Sequence, residues 1–265
     1  MTDTLADTPV LADLRDDCLT ITLNRPRRGN ALTPDLLRGI TTALDEHRKA
    51  KTIVLTGTGS AFSCGGDIRE FFDRSGDRSD LLAFARDIVG TLNETLLRLV
   101  EQERFLVCAL NGPVTGGSVG LMLACDHVIA CHDAFAQPYY ARMGFAPDGG
   151  WTAMMPDRAG AGFTRNWLAL DRRLNAAEML EKGIIDELCF ADRMPEYLEA
   201  LLARTARHDR RTLAAARLLG VGGRDALSRR LDDELQAFLT LIDRDETVQR
   251  MHDFLNPNPS PSQDT

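Results

Sequence analysis

Two stretches of this chain share one layout: a strand-like apolar run, a small residue followed by two glycines, then helix-compatible sequence. The first runs from "KTIVLTG" through "GTGSAFSCGGD" and ends in Cys64-Gly65-Gly66-Asp67. The second runs from "FLVCALNG" to Thr115-Gly116-Gly117-Ser118 and the apolar segment Val119 to Cys125. A strand–loop–helix unit met twice at similar size predicts a single layered α/β core. Almost nothing in the two loops projects beyond the backbone, so a ligand can come very close to their peptide groups.

The remaining segments fit around that core. "LTITLNRP" alternates apolar and polar residues up to Pro26, as a half-buried strand does. Thr33-Pro34 opens a helix with an N-cap threonine and Leu36, Leu37, Ile40 and Leu44 on one face. A polar stretch, Ser75 to Asp80, precedes a long amphipathic helix over Leu81 to Val100, and "HVIACH" reads as a further strand. The expected organisation is a core over residues 1–197, a helical region over 198–256, and a disordered tail over 257–265, "PNPSPSQDT".

At 265 residues there is room for a sizeable core. A formal charge of −8 argues against nucleic acid as a partner. The acidic start "MTDTLADTPV" does not read as a signal peptide, and no apolar run reaches bilayer length, so no membrane association and a cytoplasmic location are expected. Six scattered cysteines read as reduced core residues. "CDHVIACHD" gathers Cys125, His127, Cys131 and His132, but a strand would turn alternate side chains apart and no second ligand pair follows at zinc spacing. No metal is expected.

Gly57-Thr58-Gly59 does not make a dinucleotide fingerprint, because Phe62 stands where a third glycine is needed. A better account uses the two glycine pairs together. Backbone N–H groups at a helix start lack intrahelical partners and carry positive partial charge. Two of them converging on one carbonyl oxygen form an oxyanion hole. Tight turns and close packing would explain either loop alone.

The segments "RPRRGNALTPDLL", "GTGSAFSCGGDIREF", "CALNGPVTGGSVGLMLACDHVIACHDAFAQP", "MGFAPDGGWT" and "LNAAEMLEKGIIDEL" occur in an order and spacing that resemble the enoyl-CoA hydratase/isomerase (crotonase) superfamily. The resemblance covers about Leu19 to Asp192. It implies a crotonase-like α/β spiral of ββα repeats with a C-terminal helical region, assembly into a homotrimer or hexamer, and an acyl-CoA thioester substrate. Coenzyme A would enter as part of that substrate, with no separate cofactor. Carried over by position, the oxyanion donors would be the N–H groups of Gly66 and Gly117. The acyl-CoA would lie against Arg28, Ala31, Ser63, Gly65, Asp67, Ile68 and Gly116.

Family hydratases place one glutamate three residues after the second oxyanion glycine, where this chain has Gly120. A second follows the proline of "F-x-x-P", where "FAQPYYARMG" offers Tyr139 or Tyr140. Hydratase activity is therefore expected to be poor. Asp148, after the proline of "GFAPDGGW", lies where the resemblance puts the single carboxylate of isomerases and ring-rearranging members. Partial burial among Phe145, Tyr139, Tyr140 and Trp151 would raise its pKa and suit it to proton transfer. Pro-Asp-Gly-Gly is also good turn chemistry. Asp67 is expected to cap a helix. The residues thus marked as catalytic are Asp148, Gly66, Gly117 and Tyr140, with Tyr139 and Trp151 shaping the acyl pocket. The leading expectation is an acyl-CoA isomerase. The alternatives are C–C bond cleavage or formation, thioester hydrolysis, hydration by atypical acids, and acyl-CoA binding without catalysis.

Overall fold

The computed structural model describes residues 8–257. The chain begins with an antiparallel pair, β1 (Val10–Arg15) and β2 (Cys18–Leu23). It continues through α1 (Pro34–Glu46), β3 (Thr52–Gly57), α2 (Ile68–Asp73), α3 (Arg78–Val100) and β4 (Phe105–Leu110). Then come β5 (Val114–Thr115), a 3-10 turn (Gly116–Ser118), α4 (Val119–Leu123), β6 (His127–Cys131) and β7 (Phe135–Gln137). Next are α5 (Tyr140–Met143), α6 (Met155–Ala159), α7 (Ala161–Leu170), β8 (Leu174–Asn175), α8 (Ala176–Glu181) and β9 (Glu187–Cys189). Four helices end the described chain: α9 (Met194–Thr205), α10 (Arg210–Gly220), α11 (Arg224–Ile242) and α12 (Asp245–Leu255).

The main sheet has the order β1-β2-β3-β4-β6-β9, and every pairing after the first is parallel. A parallel strand is covered on both faces, and all six residues of β4 are buried accordingly. β2 buries every second residue, matching its alternation in sequence. A small second sheet, β5-β7-β8, holds the start of the second glycine loop. Thr33 caps α1 by accepting from the Leu36 N–H at 3.2 Å, and Leu36, Leu37, Ile40 and Leu44 are fully buried.

Two boundaries differ from the sequence reading. α3 starts at Arg78, inside the polar stretch, because the Asp77 carboxylate accepts from the N–H groups of Ser79 and Asp80. The apolar stripe that marked this helix begins only at Leu81, one turn later. α9 starts at Met194, with Pro195 in its first turn, so helical structure begins before Leu198. The expected tail falls almost wholly outside the described residues. Among the described residues no helix is long and apolar enough to cross a membrane.

Candidate active site

The two glycine loops are fastened to each other. Ser63 and Val114 form an isolated parallel bridge, and the Thr115 N–H donates to the Ser63 carbonyl at 3.1 Å. The Ser118 hydroxyl, fully buried, lies 3.0 Å from that carbonyl and 2.7 Å from the Thr115 carbonyl. At their crossing, Gly65 has φ +80°, and a β-carbon there would stand 2.8 Å from the Thr115 oxygen. Only glycine satisfies both the left-handed backbone and the close approach.

Gly66 and Gly117 come directly after this crossing, and both line one cavity. Gly117 sits in the 3-10 turn and Gly66 just ahead of α2, where backbone N–H groups have no intrahelical acceptor. Neither N–H donates to another group among the described residues. Two free donors on one cavity wall match what a developing oxyanion requires.

Asp148 faces the same wall. A β-carbon placed on Gly117 would lie 3.1 and 3.3 Å from its two carboxylate oxygens. The residue is 8% exposed. The Tyr140 hydroxyl donates to Asp148 Oδ1 and lies 3.0 Å from the Asp148 carbonyl. Burial pushes the Asp148 carboxyl up to about 7, the Tyr140 hydrogen bond pulls it down, and the charge of Glu234 adds to the rise. Burial, and then the Asp148 charge, hold the Tyr140 phenol well above its ordinary value, so it remains a donor at neutral pH. The pair thus offers a carboxyl able to change protonation near neutrality and a hydroxyl that favours its charged form.

The cavity, about 250 Å³, is otherwise mostly apolar. Ile88, Val89 and Leu92 of α3 line it together with Phe71 of α2, Phe238 of α11 and Phe145. The Phe145 and Phe238 rings stand 5.2 Å apart, and those of Phe71 and Phe238 5.9 Å. Phe254 of α12 meets the Tyr139 ring edge-on at the cavity wall.

The structure thus gathers Gly65, Gly66, Ile68, Gly116, Gly117, Tyr139, Tyr140 and Asp148 around one space. Other expected contacts lie elsewhere. Trp151 is fully buried and outside the cavity, because its indole donates to the Gly116 carbonyl at 2.8 Å and its ring packs edge-on against Trp167. It braces the second glycine loop from behind. Ser63 is also fully buried, and its hydroxyl donates to the Asn30 carbonyl. Ala31 is 6% exposed, and its carbonyl accepts from Arg25. Asp67 stands at the N-cap of α2 but makes no capping hydrogen bond. Its carboxylate takes the Arg28 guanidinium at 2.8 and 2.9 Å, with Arg25 at 3.6 Å. Arg28 is half-exposed, outside the cavity lining, and already paired with Asp67.

Tyr139 and Tyr140, alternatives in sequence, play different parts. Tyr139 takes φ +64° and gives its N–H to Asp171, leaving Tyr140 to meet Asp148. Gly120 faces the backbone instead of the cavity: a β-carbon there would stand 2.3 Å from the Gly149 carbonyl oxygen. A glutamate at this position has no room in this chain. Sequence reasoning missed the phenylalanines contributed by α2, α11 and α12, and it missed Glu234. The signal for Glu234 was its place in the stripe Leu227, Leu231, Leu235 and Phe238, where a helix turns inward.

A family model described as enoyl-CoA hydratase/isomerase matches residues 15–261. The chain belongs to the enoyl-CoA hydratase/isomerase family. Among its relatives, 1,2-epoxyphenylacetyl-CoA isomerase of Escherichia coli (strain K12) is 28% identical over 217 residues, which is 80% of this chain and 79% of the relative. 4-Chlorobenzoyl coenzyme A dehalogenase-2 of an Arthrobacter species is 29% identical over 205 residues, covering 75% of this chain and 74% of the relative. The crystal structure of an enoyl-CoA hydratase from Bacillus halodurans superimposes with a TM-score of 0.84 at 26% identity, covering 92% of this chain and 99% of that one. The fold is therefore that of the crotonase superfamily, with a C-terminal helical region.

Proposed function

We propose that this family member is an acyl-CoA isomerase that moves one proton through Asp148. The observation that carries the reading is the position of Asp148, a buried carboxyl against Gly117 on the cavity wall, with its pKa raised to about 7. The thioester carbonyl would accept hydrogen bonds from the Gly66 and Gly117 N–H groups. Negative charge developing on that oxygen is stabilised, so removing a proton from a neighbouring carbon becomes easier. Asp148 takes that proton as a carboxylate and returns it to another carbon as the acid. A base whose pKa lies near the working pH serves both halves of the cycle. Similarity to an isomerase of 1,2-epoxyphenylacetyl-CoA supports the reaction class, and the apolar cavity suits an acyl group without charge. Coenzyme A enters with the substrate, and the reaction needs no further cofactor.

The packing of Gly120 against Gly149 weighs against hydration, because the glutamate expected to activate water is absent and has no space. Incubation with unsaturated and ring-derived acyl-CoAs in D₂O should give deuterium at a carbon beside the carbonyl and a product of otherwise unchanged mass. Asp148→Asn should slow both by at least ~10²-fold, the usual contribution of a positioned acid–base group. Exchange at the wild-type rate in that variant would remove Asp148 from the reaction. A product differing in mass by water, or by loss of part of the acyl group, would replace isomerisation with another reaction.

A further inference from the structure

Outside the cavity lining lies a second buried carboxylate. Glu234 of α11 is 4% exposed and receives four hydrogen bonds from a single turn. Gly150 N–H donates to Oε2 at 2.8 Å. Thr152 N–H, the Thr152 hydroxyl and Ala153 N–H donate to Oε1 at 2.7, 2.6 and 2.9 Å. The turn begins at Asp148. Gly149 and Gly150 both have positive φ, +63° and +88°, and the turn they make brings the Gly150, Thr152 and Ala153 N–H groups onto one carboxylate.

We propose that Glu234 is a positioning residue of the active site: from the C-terminal helical region it fixes the turn that aims Asp148 at the cavity and sets a second carboxylate against that turn. The inference rests on the reading of Asp148 as proton carrier. The titratable and charged groups set against Asp148 are the Tyr140 hydroxyl from α5 and Glu234 from α11. α3 presents Leu92, and the 3-10 turn presents Gly117. Tyr140 favours the charged carboxylate and Glu234 opposes it, so the two neighbours work in opposite directions. A structural anchor for the turn alone could have been neutral; a carboxylate there adds electrostatic pressure on Asp148. The same helix supplies Phe238 to the cavity wall one turn later. α11 therefore carries one residue that shapes the acyl space and another that governs the acid.

The test follows the Asp148 carboxyl directly, by ¹³C NMR titration of the aspartate carboxyl carbons, with Asp148→Asn identifying the resonance. Glu234→Gln keeps Oε1, which receives three of the four hydrogen bonds, and loses only the bond from Gly150, whose N–H then faces an amide NH₂. Its Asp148 midpoint should fall by about half a unit or more, the order expected for losing one nearby charge of like sign. The acid limb of the kcat profile should move with it, while KM changes little. Glu234→Asp retains the charge but is one methylene too short for the full bond set. It should lower kcat while leaving the midpoint close to that of the wild type. A midpoint unmoved in Glu234→Gln, or moved equally in both variants, overturns the proposal. If the midpoint moves and the rate profile does not follow, Glu234 stands and the proton-carrier reading of Asp148 falls. Should Glu234→Gln fail to fold, Glu234→Asp still decides the positioning role: a kcat equal to that of the wild type overturns it.

Discussion

The hydroxyl of Tyr140 is the smallest part of the site whose removal has a signed consequence. It donates to Asp148 and favours the carboxylate over the acid. Tyr140→Phe leaves the ring packed against Trp151 and deletes only the donor. A hydrogen bond to a charged group is worth roughly 1.5–3 kcal/mol, so the Asp148 midpoint should rise by about one unit or more above its value near 7. Less of the enzyme then holds the base form at pH 7, and kcat should fall about tenfold there. Most of the loss should be regained near pH 9, where Asp148 ionises even without Tyr140. A pH–rate profile reads this directly, and a loss of equal size at every pH would show that Tyr140 acts on something other than Asp148. The shift is opposite in sign to that expected for Glu234→Gln, so the two variants check each other.

One scale up, the contact between α4 and the turn that follows Pro147 leaves no room for a side chain at Gly120. Gly149 approaches the Gly117 backbone so closely that a β-carbon would stand 2.3 Å from its carbonyl oxygen. Gly120, one turn along, meets the Gly149 carbonyl at the same distance. The loops and turn are therefore laid directly on one another, with no side chain between them. Gly149→Ala must adopt φ +63° and also force these backbones apart, so it should lose roughly 3 kcal/mol or more of stability. Gly120→Glu, which restores the residue type of hydratases, should destabilise at least as much and should not raise hydration of an enoyl-CoA. Thermal melts and a hydration assay test both; a stable Gly120→Glu protein that hydrates substrate would show that the turn can yield. The sequence made the two glycine loops and Asp148 legible because each carries a local composition: paired glycines after an apolar strand, and an acid after proline. Phe145 was legible beside Asp148, but the rest of the aromatic wall was not, since Phe71, Phe238 and Phe254 come from parts of the chain brought together only by folding. β5, β7 and β8 are two or three residues long and too short to show a period. β1 went unseen because only Val10 is buried on it, as on a strand at the sheet edge. Trp151 was placed in the pocket by its nearness to Asp148 in sequence, but a turn with two positive-φ glycines sends its neighbours in different directions.

For the whole molecule, a site built this way lowers stability as pH rises. Asp148 and Glu234 both have their carboxyls raised by burial, so the folded protein binds protons that the unfolded chain has already released. Between the ordinary aspartate value near 4 and about 7, the native state holds more protons at Asp148 than the unfolded state. Unfolding free energy therefore falls with rising pH across that window and levels off above it. The cost at Asp148, for a rise from 3.8 to about 7, is about 4 kcal/mol once the group is fully ionised. Paired surface acids such as Asp45 act in the opposite sense, because their carboxyls are lowered and stabilise above the unfolded value. A single pH–stability curve mixes these contributions, whereas the difference between wild type and Asp148→Asn cancels all groups the substitution leaves alone. Asparagine is nearly the same size and still accepts from Tyr140, so the difference reports mainly the ionisation of Asp148. The variant should be close to wild type at pH 4.5 and progressively more stable up to pH 8, by as much as several kcal/mol on this scale. Urea unfolding of the two proteins at four or five pH values measures it. A gap that does not widen with pH would mean that Asp148 is solvated in the folded protein, and a solvated carboxylate could not be the near-neutral proton carrier proposed for this cavity.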